Sequence, residues 1–183
     1  MLAGDREAFR DLVERESVAV VRACHRVLGN RHDAEDAAQE AFVTAYRALG
    51  TWRGEGSFAS WLSRIAVRIA LRHAGRRGRI PQLNWSEPPA DGSDTTADPI
   101  ARLVSEGDGG DPAHQVLRAE RSDRVRAAVA GLEEPYREVV ALRFFGELSL
   151  AEIALASGRP VGTVKTHLHR GLLRLRTTLE LEQ

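Results

Sequence analysis

Residues 81–112 hold five of the chain's seven prolines and four of its 16 glycines, with seven acids and Arg102 as the only base. A stretch of this composition cannot bury enough apolar surface to offset the entropy lost on ordering. It therefore reads as a flexible acidic linker, and it divides the 183 residues into segments 1–80 and 113–183. Each is long enough for one small domain, and neither approaches the length of a large barrel enzyme.

Both flanking segments carry apolar residues at helical spacing and no useful run at strand spacing, so the expected class is all-α. In the first, Phe9, Leu12, Val13, Val20, Val21, Cys24, Val27 and Leu28 line one face until Gly29-Asn30. A second helix is predicted from Asp33 to Leu49, with Ala38, Ala41, Phe42, Ala45 and Leu49 inward. Ser57 is the expected N-cap of a third helix that buries Phe58, Trp61, Leu62, Ile65, Ala66 and Ile69. Downstream, Val116, Leu117, Val125, Ala128, Val129 and Leu132 mark a fourth helix, and Pro135 opens a fifth that runs to Phe145-Gly146.

The sharpest local signal is Ser149-Leu150-Ala151-Glu152, a capping box that satisfies two orphan amides at a helix start. The short helix it opens ends at Ser157-Gly158, and another starts near Pro160-Val161. Ala154, Gly158 and Val164 supply a small crossing residue, a glycine able to take positive φ and a branched wedge, as a helix-turn-helix requires. Val164, Leu168, Leu172 and Leu175 form the inward stripe of the second helix. Gly162, Thr163, Thr166 and Arg170 face the other way, flanked by Lys165, His167 and His169. From Ser157 to Thr178 every ionisable residue is basic or histidine, including Arg159, Arg174 and Arg176. An ordinary solvated face mixes signs; this one suits phosphates and major-groove base edges.

The total charge is zero, with 26 basic and 26 acidic residues, but the distribution is uneven. Residues 1–80 carry +4, residues 81–117 carry −6 and residues 118–183 carry +2. Arg64, Arg68, Arg72 and Arg76 recur every fourth position, with Arg77 and Arg79 beyond them. Because each such step drifts by about 40°, the third helix is expected to leave its core after Ala70. An arginine-rich end near Trp52, Phe58 and Trp61 suits single-stranded nucleic acid. Phe58 and Trp61 are read as core in preference to that role, whereas Trp52, in the preceding turn, is open to either. Asp33, Asp36 and Glu40 share a face of the second helix. They are readable as metal ligands, as acids favoured near a positive helix start, or as a docking face for a basic partner. The histidine pattern a metal phosphohydrolase needs is missing, so neither metal nor cofactor is expected.

Together these motifs resemble the sigma factors of bacterial RNA polymerase, in the compact extracytoplasmic-function (ECF) form of the sigma-70 family. The residues carrying the resemblance are GDREAF, DAEDAAQEAFVTAYRAL, WRGEGSFASWLSRIA and LEEPYREVVALRFFGELSLAEIALASGRPVGTVKTHLHRGLLRLR. The resemblance implies a sigma region 2 bundle over 1–80, a linker over 81–112 and a sigma region 4 helix-turn-helix over 113–183. It implies a non-enzymatic transcription initiation factor whose partners are core RNA polymerase, through its clamp and flap, promoter DNA and an anti-sigma factor. Asp36, Gln39 and Glu40 would contact the clamp, with Asp33, Glu35 and Phe42 nearby. Arg53, Gly54, Glu55 and Ser57 lie in the loop that would capture an unstacked base of the melted minus-10 strand, beside Trp52 and the Arg64, Arg68, Arg72 and Arg76 row. The family often has asparagine where Arg68 stands. Thr163, Lys165, Thr166, His169 and Arg170 would contact duplex DNA at minus-35, with His167 on the flank and Arg174 on phosphate. The acidic linker would follow the polymerase's RNA exit path. The alternatives are a stand-alone helix-turn-helix regulator and, lower, a metal phosphohydrolase.

The one cysteine suits a reducing cytoplasm, and no window approaches the roughly 20 apolar residues of a membrane span. Met1 to Arg15 mixes acids and bases where a secretory leader would be apolar. A cytoplasmic, nucleoid-associated location is therefore expected.

Overall fold

A computed structural model describes residues 6–52, 54–76 and 112–181. The linker over 81–111, together with Arg53, Arg77 and Arg79, lies outside the described residues. Those described are helical: α1 (Arg6–Leu28), α2 (Arg31–Ala48), a 3₁₀ turn (Leu49–Thr51), α3 (Phe58–Arg76), α4 (Pro112–Gly131), α5 (Tyr136–Phe144), α6 (Leu150–Ser157) and α7 (Val161–Leu181). No strand occurs among them.

Helices α1, α2 and α3 pack mutually into one group. Their shared core is rich in alanine: Ala34, Ala37, Ala41, Ala45, Ala66 and Ala70 are fully covered. Small side chains let the axes approach, and Leu62, Val20 and Val67 fill the space between them. The Cys24 thiol donates weakly to the Ala66 carbonyl at 3.9 Å, and burial pushes its pKa up to about 12. Asn30 does more than end the first helix. Its side chain accepts from the Asp33 amide at 2.8 Å and donates to the Asp33 carboxylate, so α2 starts at Arg31, two residues before the predicted position.

Helices α4 to α7 form the second group around Leu132, Val139, Leu142, Phe145, Ile153, Val164 and Leu175. Each such side chain contributes about 2 kcal/mol when taken from water. Helix α4 begins at Pro112, the last residue assigned to the linker. Val116 and Leu117, read as marking its apolar face, are exposed because they precede the part of α4 that meets other helices. Pro135 is the N-cap of α5 rather than its first helical residue, and it follows a cis peptide bond. The two groups touch: α3 packs on α5 and α6, and α1 approaches α4.

Candidate nucleic-acid and polymerase interface

The helix-turn-helix forms from local causes that the residues state openly. Ser149 Oγ accepts from the Glu152 amide at 3.2 Å, and the Glu152 carboxylate accepts from the Ser149 amide at 2.8 Å. Gly158 adopts φ +66° and closes α6, its amide reaching the Leu155 carbonyl. Val164 is fully buried between the two helices, and Ala154 is nearly so. On α7, Gly171 lies against α5 so closely that an added Cβ would sit 2.6 Å from a Val140 methyl.

That seating sorts the basic face. Gly162, Lys165, Thr166, His169 and Arg170 are exposed, and Thr163 is half-buried beside them. His167 is turned toward α5, its ring edge-on to Tyr136 at 5.7 Å. Burial, with Arg159 and Arg170 adding to it, lowers its pKa and favours the neutral ring. Arg174 departs furthest from its expected place on phosphate: it is 5% exposed, with its guanidinium 4.0 Å above the Tyr136 ring. Its Nε and Nη1 find no hydrogen-bond partner among the described residues. The heptad from Val164 through Gly171 rotates position 174 back under the helix, and the aromatic face supplies the cation's partner.

In the first group the acidic residues of α2 have separate fates. Asp36 and Gln39 are exposed, Asp36 lying 3.9 Å from His32. Glu35 pairs with Arg31 at 2.7 Å. Asp33 is buried in the helix cap, so it does not belong to the outer face in this conformation. Glu40 is held by α3: its carboxylate meets Arg72 Nη2 at 2.5 Å and His73 Nε2 at 2.7 Å. The His73 hydrogen bond is the largest influence drawing the Glu40 pKa down; slight burial opposes it, and Arg72, His73 and Arg76 add attraction. Phe42 is half-buried against the core. Next to Asp36 and Gln39, two apolar side chains that the sequence reading passed over, Val43 and Tyr46, are also exposed. Their signal is spacing, since 36, 39, 43 and 46 share one stripe of a helix.

Trp52, Phe58 and Trp61 cluster with ring centroids 5.5–6.4 Å apart. Phe58 is core, whereas Trp52 and Trp61 are half-buried at its edge. Gly54, Glu55, Gly56 and Ser57 are exposed, with φ +74° at Gly54 and +81° at Gly56. Ser57 Oγ accepts from the Ser60 amide at 3.1 Å, as an N-cap does. Helix α3 does not leave its core at Ala70; Leu71 and Ala74 remain buried. The drift of the arginine row is absorbed by partners, Glu40 for Arg72 and a residue of the second group for Arg64 and Arg68. Arg76 is exposed. No group of three or more potential metal ligands exists among the described residues, and no helix there is long and apolar enough to cross a membrane.

Comparison with known proteins gives the same two units in the same order. The Sigma-70 region 2 family matches residues 12–80, and the Sigma-70 region 4 family matches residues 122–175. The ECF RNA polymerase sigma factor SigW of Bacillus subtilis is 35% identical over 176 residues, covering 96% of this chain and 91% of that one. The RNA polymerase sigma-H factor of Pseudomonas aeruginosa is 37% identical over 172 residues, covering 91% and 83%. The fold is similar to CnrH solved in complex with the cytosolic domain of CnrY, with a TM-score of 0.58 and 22% identity over 98% of this chain and 92% of that one. A helix-turn-helix regulator with an unrelated sensing bundle would not match region 2. The chain belongs to the sigma-70 family, as an ECF RNA polymerase sigma factor, and is a transcription initiation factor rather than a classical enzyme.

Proposed function

We propose that residues 1–80 act as region 2, which binds core polymerase and reads the melted minus-10 strand. Residues 81–112 act as a tether, and residues 113–183 as region 4 on duplex DNA at minus-35. The observation that carries this reading is the exposed, acid-free face of Lys165, Thr166, His169 and Arg170 on a helix fixed by a capping box, a left-handed glycine and a buried valine. Thr163 borders that face. His167 and Arg174 support it from behind, positioned on Tyr136.

The polymerase contact falls on the α2 stripe of Asp36, Gln39, Val43 and Tyr46, which joins charge to exposed apolar area. Glu35 and Glu40 flank it, each already paired to a base. Gly54, Glu55 and Ser57, next to the Trp52 and Trp61 rings, receive the unstacked base, while Arg64, Arg68, Arg72 and Arg76 meet phosphates. The chain itself carries out no chemistry; the polymerase does. It works in the cytoplasm and reaches the nucleoid through polymerase. An anti-sigma protein controls it, a reading supported by the similar fold of the sigma factor RpoE from Bartonella quintana in complex with the anti-sigma factor NepR.

Transcription by core polymerase plus this protein across a promoter library tests the reading. Initiation confined to promoters with paired elements is expected, and no initiation on any of them refutes it. Asp36→Asn combined with Gln39→Ala should weaken core binding by about tenfold, roughly 1.4 kcal/mol, at unchanged helicity. Unchanged affinity would remove the α2 stripe from the interface.

A further inference from the structure

Glu138 lies in α5 with its side chain 6% exposed, and three arginines converge on it. Arg64 Nε donates to Oε1 at 3.0 Å, Arg159 Nη1 donates to Oε2 at 3.0 Å, and Arg68 Nε stands 3.8 Å away. Arg64 and Arg68 come from α3 in the first helical group; Arg159 comes from the turn of the helix-turn-helix. Arg64 also donates through Nη1 to the Ala156 carbonyl at 2.6 Å, in the last turn of α6 where a cation is favoured. Around this hub the two groups make further contacts. Arg26 meets the Glu147 carboxylate at 2.7 Å, and Arg126 donates to the Arg26 carbonyl at 3.2 Å. Gly56, in the candidate base-capturing loop, faces Leu155 of α6; a Cβ placed there would lie 3.4 Å from a Leu155 methyl.

We propose that Glu138 is the latch of a closed state in which the region 4 unit engages Arg64 and Arg68 and stands against the neighbouring minus-10 loop at Gly56. The inference rests on the reading of Arg64 and Arg68 as phosphate contacts. A buried carboxylate stripped of its partners is heavily penalised, which would normally make such a junction permanent. Here Arg159 belongs to the same unit as Glu138 and stays with it when α3 departs, so opening never leaves the acid buried and unpaired. The departing arginines find replacement oxygens on the nucleic-acid backbone. Closure and strand binding then compete for the same two guanidinium groups, and the free protein binds weakly in proportion to its open fraction.

The test uses the full chain with spin labels on Thr44→Cys and Thr177→Cys, both at exposed positions; buried Cys24 stays unlabelled. The parent should give a single narrow distance distribution, and Glu138→Gln a longer, broader one. Leu155→Ser, at a half-exposed position that the α6 core does not need, should broaden it as well. Binding of a short oligothymidylate strand to the free protein should tighten by about tenfold in Glu138→Gln. Distributions that superimpose on the parent's in both variants, at parental helicity, would overturn the latch, as would a broad distribution in the parent. If the units open and oligothymidylate affinity stays at the parental value, the latch stands and the assignment of Arg64 and Arg68 to nucleic acid falls.

Discussion

Gly171 offers a test in which two well-characterised effects oppose each other. Glycine inside a helix costs about 1 kcal/mol relative to alanine, so on propensity alone Gly171→Ala would stabilise α7. The new Cβ, however, would stand 2.6 Å from Val140 Cγ2 and 3.4 Å from Tyr136 Cβ. Comfortable carbon contacts lie at about 3.5–4.0 Å, so the first falls short by roughly 1 Å. Val140 is fully buried and branched at Cβ, so its methyl has little freedom to retreat. Overpacking of this kind costs about 1–3 kcal/mol. Taking the middle of that range, the clash exceeds the propensity gain by about 1 kcal/mol, and the melting temperature should fall by about 2–4 °C for a chain of this size. A double-mutant cycle isolates the cause. With Val140→Ala the obstruction is gone, so Gly171→Ala should now stabilise by about 1 kcal/mol, giving a coupling of about 2 kcal/mol. Urea denaturation of the four proteins measures it. A higher urea midpoint for Gly171→Ala in the parent, or a coupling under about 0.5 kcal/mol, would refute the claim that this glycine sets how α7 seats on α5.

Two other perturbations follow from the same unit. Ser149→Ala removes the hydroxyl half of the capping box, leaving the backbone amide of residue 149 on the Glu152 carboxylate, and should cost about 1 kcal/mol, with faster hydrogen exchange at the Glu152 amide; unchanged exchange would mean that the hydroxyl does not hold the start of α6. His167, facing Tyr136, Arg159 and Arg170, has a pKa below its ordinary value of about 6.5. The unfolded chain therefore takes up this proton first as pH falls, so the stability from the neutral ring is complete above about pH 6.5 and is lost as pH drops through the lowered folded value. His167→Gln should flatten that part of the stability profile between pH 7.5 and pH 5.5, in urea titrations at about those values. An unaltered slope would assign it to other groups.

What the residues disclose in advance is what depends on near neighbours in the chain. The Ser149 capping box and the Ser57 cap are each set by four consecutive residues, the left-handed Gly158 and the wedge at Val164 by spacings within eleven, and each is found as read. Periodicity also gave the inward faces of α1, α2 and α3, because angle about a helix axis follows from residue number. It does not say what stands opposite. Arg64, Arg68 and Arg174 are long enough to reach partners on other helices, so their destinations depend on tertiary packing that no local pattern encodes. Glu138 drew no notice in the sequence as a lone acid in an apolar helix, yet it anchors three arginines. Asp33 had a legible alternative, since Asn30 three residues earlier has the spacing of a reciprocal cap. The exposed pair Val43 and Tyr46 was hidden because apolar residues in an amphipathic helix are read as core unless the angle is worked through.

The buried Cys24 thiol has a use beyond packing. It sits at the junction of α1 and α3 with no exposed surface, held near the Ala66 carbonyl and pushed far from its reactive form. Only the thiolate reacts readily with alkylating agents. Its modification rate thus works as a clock for separation of those two helices, silent to fraying at the ends and to movement of the helix-turn-helix. The first unit carries a native reporter of its own opening free energy, readable in a mixture with polymerase or DNA and without an added probe.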